Sequence, residues 1–297
     1  MKTILVTGAT GFIGQHVVES LSRSGNKVVA LTRSTSQVKH LCVPAEPIPT
    51  SALAFAKLFD ELSCDTVLHL ATMFVRDNDE VDLHALIDSN LQLGLDIAAA
   101  CSRSRKRLVI AGSYYQGLSF GQAEPQSLYA ASKQAFRVFL EYYRRRNLID
   151  FFEIRLFDTF GPRDTRDKLI PCLMRAAYYD QEMRLGSPRK SLRLSYVLDV
   201  AEEIRELALG TDSSDTFVDT YPPIALGELV RICSEEWGTE IPVEWSQVGS
   251  NSDGEFSQAA MGNHPQIASR RSRTPLRSAI RQTWLDFLSR QPTSPSE

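Results

Sequence analysis

Little in this sequence marks a metal site, a disulfide framework or a membrane span. Its five cysteines, Cys42, Cys64, Cys101, Cys172 and Cys233, are odd in number, scattered and never spaced as CxxC. That predicts reduced, mostly buried thiols and argues against disulfides or zinc. The five histidines are equally dispersed, so no metal is expected. No apolar run approaches bilayer-spanning length, and a strand begins within the first residues with no secretory pattern before it, so a cytoplasmic protein is expected. An excess of positive charge is missing too. The 33 Lys and Arg against 36 Asp and Glu leave a formal charge of -3, which speaks against nucleic acid or an anionic membrane as partner. The one basic cluster, Arg103, Arg105, Lys106 and Arg107, lies between an apolar helix and an apolar strand and reads as a solvated turn.

What is present is an ordinary globular composition, 43% hydrophobic and 23% charged over 297 residues, enough to bury a large core or two smaller ones. Lys2 to Thr7 is a β-branched run ending in a glycine-rich turn, and Ile13 to Arg23 has helical character. Strands are expected at Lys27 to Thr32, Thr66 to Ala71, Arg107 to Ala111 and Phe151 to Leu156. Long helices are expected from about Asp82 to Ser102 and from Tyr129 to about Arg146. Continuous apolar strands alternating with helices predict an α/β fold, a Rossmann-type doubly wound parallel sheet covered on both faces. Beyond Gly161, prolines 162, 171, 188, 222 and 223 break the chain into shorter pieces. The expected organisation is a dinucleotide-binding domain over 1–160 and a smaller substrate-binding lobe over 161–290, with segments returning to the main sheet. A flexible tail is expected over 291–297.

The run Thr7-Gly8-Ala9-Thr10-Gly11-Phe12-Ile13-Gly14 follows a strand and opens a helix, the context in which such a motif is informative. Gly8 permits a tight turn, Gly11 lets backbone approach a pyrophosphate, and Gly14 lets helix and strand pack closely. The helix N-terminus presents N–H groups and a positive dipole end to the phosphates. The second strand ends Thr32-Arg33-Ser34, with no carboxylate for a ribose 2′-hydroxyl. Arg33 and Ser34 suit a 2′-phosphate, so NADP is favoured, with NAD as the other possibility. Further on, Tyr129-Ala130-Ala131-Ser132-Lys133 places a phenol and an ammonium four positions apart, on one helix face. A free phenol, with a pKa of about 10, exchanges protons poorly at neutral pH, and a neighbouring ammonium favours its ionised form.

The TGxxGFIG turn resembles that of the extended short-chain dehydrogenase/reductase enzymes, the NAD-dependent epimerase/dehydratase family that acts on nucleotide sugars. The likeness runs through most of the chain: Val67-Leu68-His69-Leu70-Ala71 resembles the fourth strand, Asn90 falls at an asparagine of the next helix, and Arg155 to Pro162 (RLFDTFGP) resembles RxxNxYGP. Lys168 to Pro171 and Arg193 to Asp199 resemble segments that hold a nucleotide diphosphate and rejoin the sheet. The resemblance implies Ser113, Tyr129 and Lys133 as catalytic residues. It implies dinucleotide contacts at Gly8, Thr10, Gly11, Phe12, Ile13, Gly14, Arg33, Ser34, Leu70, Ala71, Asn90, Tyr129, Lys133 and Phe157. Substrate contacts are implied at Met73, Ser113, Tyr114, Asp158, Lys168, Leu169 and Arg193, the last as a diphosphate ligand.

Reaction type is narrowed by what stands beside Ser113. Dehydratases of the family carry Asp-Glu after the catalytic hydroxyl residue, and Tyr114-Tyr115 stand here instead. The segment most resembles 4-ketoreductases of deoxysugar biosynthesis, the abequose and paratose synthases. Reduction of a nucleotide-diphosphate 4-keto-6-deoxyhexose by NADPH is therefore expected, in a homodimer. An NAD-linked 4-epimerase is the alternative; a non-catalytic dinucleotide-binding regulatory protein is an alternative of another class.

Overall fold

The computed structural model describes residues 1–34, 40–76, 80–116, 125, 127–210, 215–218, 220–246 and 274–291. The expected tail lies outside them from residue 292 onward. The chain divides into two compact units, Met1–Leu156 with Val200–Val218, and Phe157–Asp199 with Asp219–Glu297.

The first unit is built on a parallel sheet. Its strands are β1 (Thr3–Thr7), β2 (Lys27–Thr32), β3 (Ala45–Pro47), β4 (Thr66–His69), β5 (Arg107–Ser113) and β6 (Asp150–Leu156). A seventh strand, Thr216–Val218, completes the order β3-β2-β1-β4-β5-β6 followed by that strand, every pairing parallel. This is the doubly wound arrangement the alternation predicts. Successive side chains point to opposite faces. Ile4 and Val6 therefore enter one core with Val17, Val18 and Ile204, while Leu5 enters the other with Phe55, Phe59, Ile97 and Phe136.

The helices of this unit are α1 (Phe12–Arg23), α2 (Ala52–Glu61), α3 (Leu83–Ile87), α4 (Leu93–Ser104) and α5 (Leu128–Arg145). Ser51 caps α2 by accepting from Ala54 N–H at 3.3 Å, and Ser127 caps α5 from Ala130 N–H at 3.1 Å. Neither β3 nor α2 is among the elements expected from sequence. The cap at Ser51 followed by Phe55 and Phe59 at i, i+4 is the signal for α2. The helix expected from Asp82 to Ser102 is not continuous: Asp88–Gln92 forms a π-helical turn between α3 and α4. Such turns widen a helix where a side chain has work to do, and here that side chain is Asn90.

The second unit contains β7 (Asp158–Phe160), α6 (Leu169–Tyr179), β8 (Met183–Leu185), β9 (Ser191–Leu192) and β10 (Leu194–Tyr196). After α7 (Val197–Leu209), which runs from this unit into the first, and β11 (Thr216–Val218), the seventh strand of the main sheet, come β12 (Ile224–Ala225), α8 (Leu226–Trp237), β13 (Val243–Trp245) and α9 (Leu276–Ser289). The segment Arg193 to Asp199 does not rejoin the main sheet: β10 pairs in parallel with β7 in a separate two-stranded sheet. The strand that returns is β11, beside β6. Among the described residues, no helix is long and apolar enough to cross a membrane.

Candidate active site

The glycine turn sits where β1 ends. Gly8 has φ +70°, a conformation that disfavours a side chain, and a Cβ there would approach Ala71 N to 2.6 Å. On Gly14 a Cβ would collide with the Gly8 carbonyl oxygen. The turn is closed by Gly11 N–H donating to Gly8 O at 3.0 Å. Gly11 is the N-cap of α1 and supplies no side-chain cap, and the first turn, which includes Phe12 and Ile13, holds no carboxylate. The result is a side-chain-free cradle at a positive helix end, which fits a dinucleotide pyrophosphate. Thr10 and Gly11 are exposed on its rim.

Beneath the cradle lies a neutral polar pair. Thr7 and His69 are register partners on β1 and β4, and Thr7 Oγ1 lies 2.9 Å from His69 Nδ1. Ala71 N–H also donates to Thr7 Oγ1, at 3.3 Å, and Leu70 N–H to Thr7 O, at 3.2 Å. Burial, reinforced by the charge of Lys133, pushes the His69 imidazole down to about 3, so the ring is neutral at physiological pH. These bonds hold Leu70 and Ala71 against Gly8.

Asn90 is buried, and its amide is used within the chain. Oδ1 accepts from Met73 N–H at 2.7 Å and from Thr72 Oγ1 at 3.1 Å. Nδ2 donates to Met73 O and to Ser132 Oγ, each at 2.9 Å. Four bonds saturate a carboxamide. Asn90 thus fastens the loop after β4 to the helix that carries Tyr129 and Lys133.

On α5, Lys133 is buried and its Nζ donates to Ala111 O at 3.1 Å. Burial pushes this ammonium down to about 8, while the Glu153 carboxylate pulls the other way. Nζ lies 5.9 Å from the centroid of the Tyr129 ring, so the spacing of four does place the two groups together. Phe74 packs edge-on against the Tyr129 ring, centroids 5.1 Å apart.

Ser113 ends β5 and is buried. Its N–H donates to Gln116 Oε1 at 2.9 Å, and its Oγ accepts from Tyr115 N–H at 3.2 Å, giving a short 3-10 turn over Tyr114–Gln116. Arg33 is exposed just beyond β2, and the hydroxyl of Thr32 donates to Ser34 O at 3.1 Å. The remaining candidates, Phe157, Asp158, Lys168, Leu169 and Arg193, belong to the second unit. There Asp158 pairs with Leu194, Lys168 is the N-cap of α6, which begins at Leu169, and the Arg193 guanidinium stands 5.3 Å over the Phe157 ring.

Two residues of this region, Glu153 and Arg137, were not singled out from sequence. Glu153 is an acid in the middle of the apolar strand DFFEIRL, 1% exposed. It accepts from Gln116 Nε2 at 2.6 Å, from Arg155 Nε at 2.9 Å and from Arg137 Nη1. Arg137 follows Lys133 by four positions. A charge inside a strand flanked by Phe and Ile was the available signal, since such a charge requires buried partners.

Comparison with known proteins agrees with this geometry. The model of the NAD dependent epimerase/dehydratase family matches residues 4–215. The chain is 28% identical over 214 residues to CDP-abequose synthase of Yersinia pseudotuberculosis, covering 68% of this chain and 71% of that one. Among solved structures it is similar to the UDP-N-acetylglucosamine 4-epimerase of Methanobrevibacter ruminantium in complex with UDP-N-acetylmuramic acid, with a TM-score of 0.80, 19% identity and coverage of 98% and 99% of the two chains. It is also similar to the UDP-glucose 4-epimerase of Thermus thermophilus in complex with NAD, with a TM-score of 0.73, 23% identity and coverage of 97% and 100%. With a dinucleotide cradle, a Tyr–Lys pair and a doubly wound sheet in one unit, this chain belongs to the NAD dependent epimerase/dehydratase family, as a nicotinamide-dinucleotide oxidoreductase of the extended short-chain dehydrogenase/reductase type.

Proposed function

We propose that the enzyme reduces the C4 ketone of a nucleotide-diphosphate 4-keto-6-deoxyhexose with NADPH. The observation that carries this is the end of β2, where exposed Arg33 and the Thr32–Ser34 turn stand in place of a carboxylate. Such an end suits a 2′-phosphate and a cofactor that arrives reduced and leaves oxidised. Tyr114 and Tyr115 in place of an acid pair, and the similarity to a CDP-abequose synthase, support the same reading.

A bound NADPH supplies the hydride. The chain's own residues do the rest. Tyr129 gives a proton to the oxygen that becomes the alcohol and regains one from solvent. Ser113 Oγ orients that oxygen. Lys133, fixed to Ala111 O, keeps positive charge beside the phenol and so lowers the barrier to its ionisation. Asn90 and the Thr7–His69 pair hold the loop of Leu70 to Met73 in place. In the second unit Asp158, Lys168, Leu169 and Arg193 are the substrate residues, Arg193 toward phosphate.

The test uses a 4-keto-6-deoxy nucleotide sugar made in place by a dehydratase. One NADPH should be consumed per sugar, and deuterium from labelled NADPH should appear in the product. The similarity to solved 4-epimerases favours a second reading, in which hydride returns to the same molecule. Interconversion of two 4-hydroxy sugars without added NADPH would establish that reading instead.

A further inference from the structure

We infer that Glu153 is a positioning residue for this reaction: its one carboxylate fastens the backbone at Ser113, through Gln116, and the face of α5 that carries Tyr129 and Lys133, through Arg137. The inference rests on the reductive reading above.

The connections are all within the first unit. Gln116 bridges, its Nε2 donating to Glu153 Oε1 at 2.6 Å while its Oε1 accepts from Ser113 N–H at 2.9 Å. An amide suits this place because it can donate to a carboxylate with one end and accept from a backbone N–H with the other. A leucine of similar size could do neither. On the opposite side Glu153 Oε2 is held by Arg137 and by Arg155 Nε, the latter at 2.9 Å. Tyr129, Lys133 and Arg137 recur every four residues and share a helix face, so Arg137 ties that face to β6. Arg137 is itself steadied by Glu141 and Asp215, each at 3.0 Å, and Asp215 accepts from Glu153 N–H at 3.0 Å.

Backbone geometry enforces the same contact. A Cβ on Gly112, the residue before Ser113, would collide with Glu153 Oε1. The carboxylate thus lies directly under the strand end from which Ser113 projects. Buried ions are retained only where partners and geometry offset their desolvation, and a well-packed apolar strand would serve stability as well. What a hydrophobic residue at position 153 could not do is hold two separate elements at once in a fixed relation, and catalytic hydroxyl and phenol must share one substrate oxygen.

The decisive variant is Gln116→Leu, which cuts the tie to Ser113 and leaves the Glu153 ion cluster charged. With NADPH and the 4-keto sugar, kcat should fall by about tenfold or more while KM and the Kd for NADPH stay within about twofold. In hydrogen exchange the Ser113 amide should lose its protection. Glu153→Gln, which keeps the shape and removes the charge, should lower kcat further if it folds. Unchanged kcat in Gln116→Leu, or an equal rise in KM and fall in melting temperature with kcat intact, would overturn the inference and leave the function standing. If the unmodified enzyme reduces none of the 4-keto sugars, the functional reading itself falls. The tie is then judged by exchange of the Ser113 amide alone, and protection retained in Gln116→Leu refutes it.

Discussion

The two units dispose of their charges differently. The first keeps Lys133, Glu153, Arg155 and the imidazole of His69 inside, each less than a tenth exposed. The second packs an aromatic stack, Trp237 on Trp284 on Phe287 with centroids 5.0 and 5.4 Å apart, and carries ion pairs of Arg231 with Glu228 and Glu235 outside. Its buried carboxylate Asp164 is paired with Arg166 at 2.8 Å. The lesson is one of purpose. Aromatic burial stabilises mainly by removing apolar area from water, whereas interior charge is costly and is concentrated in the unit that holds the Tyr–Lys pair and the glycine turn.

Four measurements would break or sharpen this contrast. Trp284→Ala in the second unit should have the largest effect on stability, about 3–5 kcal/mol, from lost transfer energy and the cavity left behind. A urea midpoint close to that of the unmodified protein would show that the stack is dispensable.

Acid should act on the first unit. His69 titrates near 3 when folded and ordinarily near 6.5, so the unfolded chain takes the proton first. Its contribution is present above pH 6.5 and lost as pH falls toward 3, up to about 5 kcal/mol. His69→Gln should lose that component, and the gap between the two proteins' unfolding free energies should shift steadily over that interval. A constant gap would mean that folding leaves the His69 pKa unshifted.

Lys133→Met separates chemistry from stability. Because the folded ammonium titrates near 8 rather than 10.5, it costs stability below pH 8, and that cost fades as pH rises from 8 to 10.5. The variant should be at least as stable as the parent at pH 7, with turnover lower by about a hundredfold. A marked loss of stability at pH 7 would contradict the assignment of its charge as a cost.

Arg231→Ala should do least. Its pairs are half-exposed, and solvent screening leaves such bridges little to contribute. The melting temperature should not move measurably; a clear drop would make the surface network of α8 a structural element in its own right.

Sequence alone determined β1, β2, β4, β5 and β6 of the main sheet, the glycine turn and the Tyr–Lys spacing, because each is local. Continuous apolar and β-branched runs alternating with helical segments place β1, α1, β2 and α5 within a residue or two. A glycine at φ +70° and a spacing of four along a helix are readable from adjacent letters. The same letters hid what depends on distant partners. The π-helical turn carries Asn90, whose amide reaches Met73 and Ser132, 17 and 42 residues away. Which late segment returns to the main sheet was decided by pairing with β6, favouring Thr216–Val218 over Leu194–Tyr196. Glu153 reads as an odd acid in an apolar strand until Gln116, Arg137 and Arg155 are seen around it. A buried charge is tolerable only among partners that folding assembles from separate elements, and no local pattern can announce them.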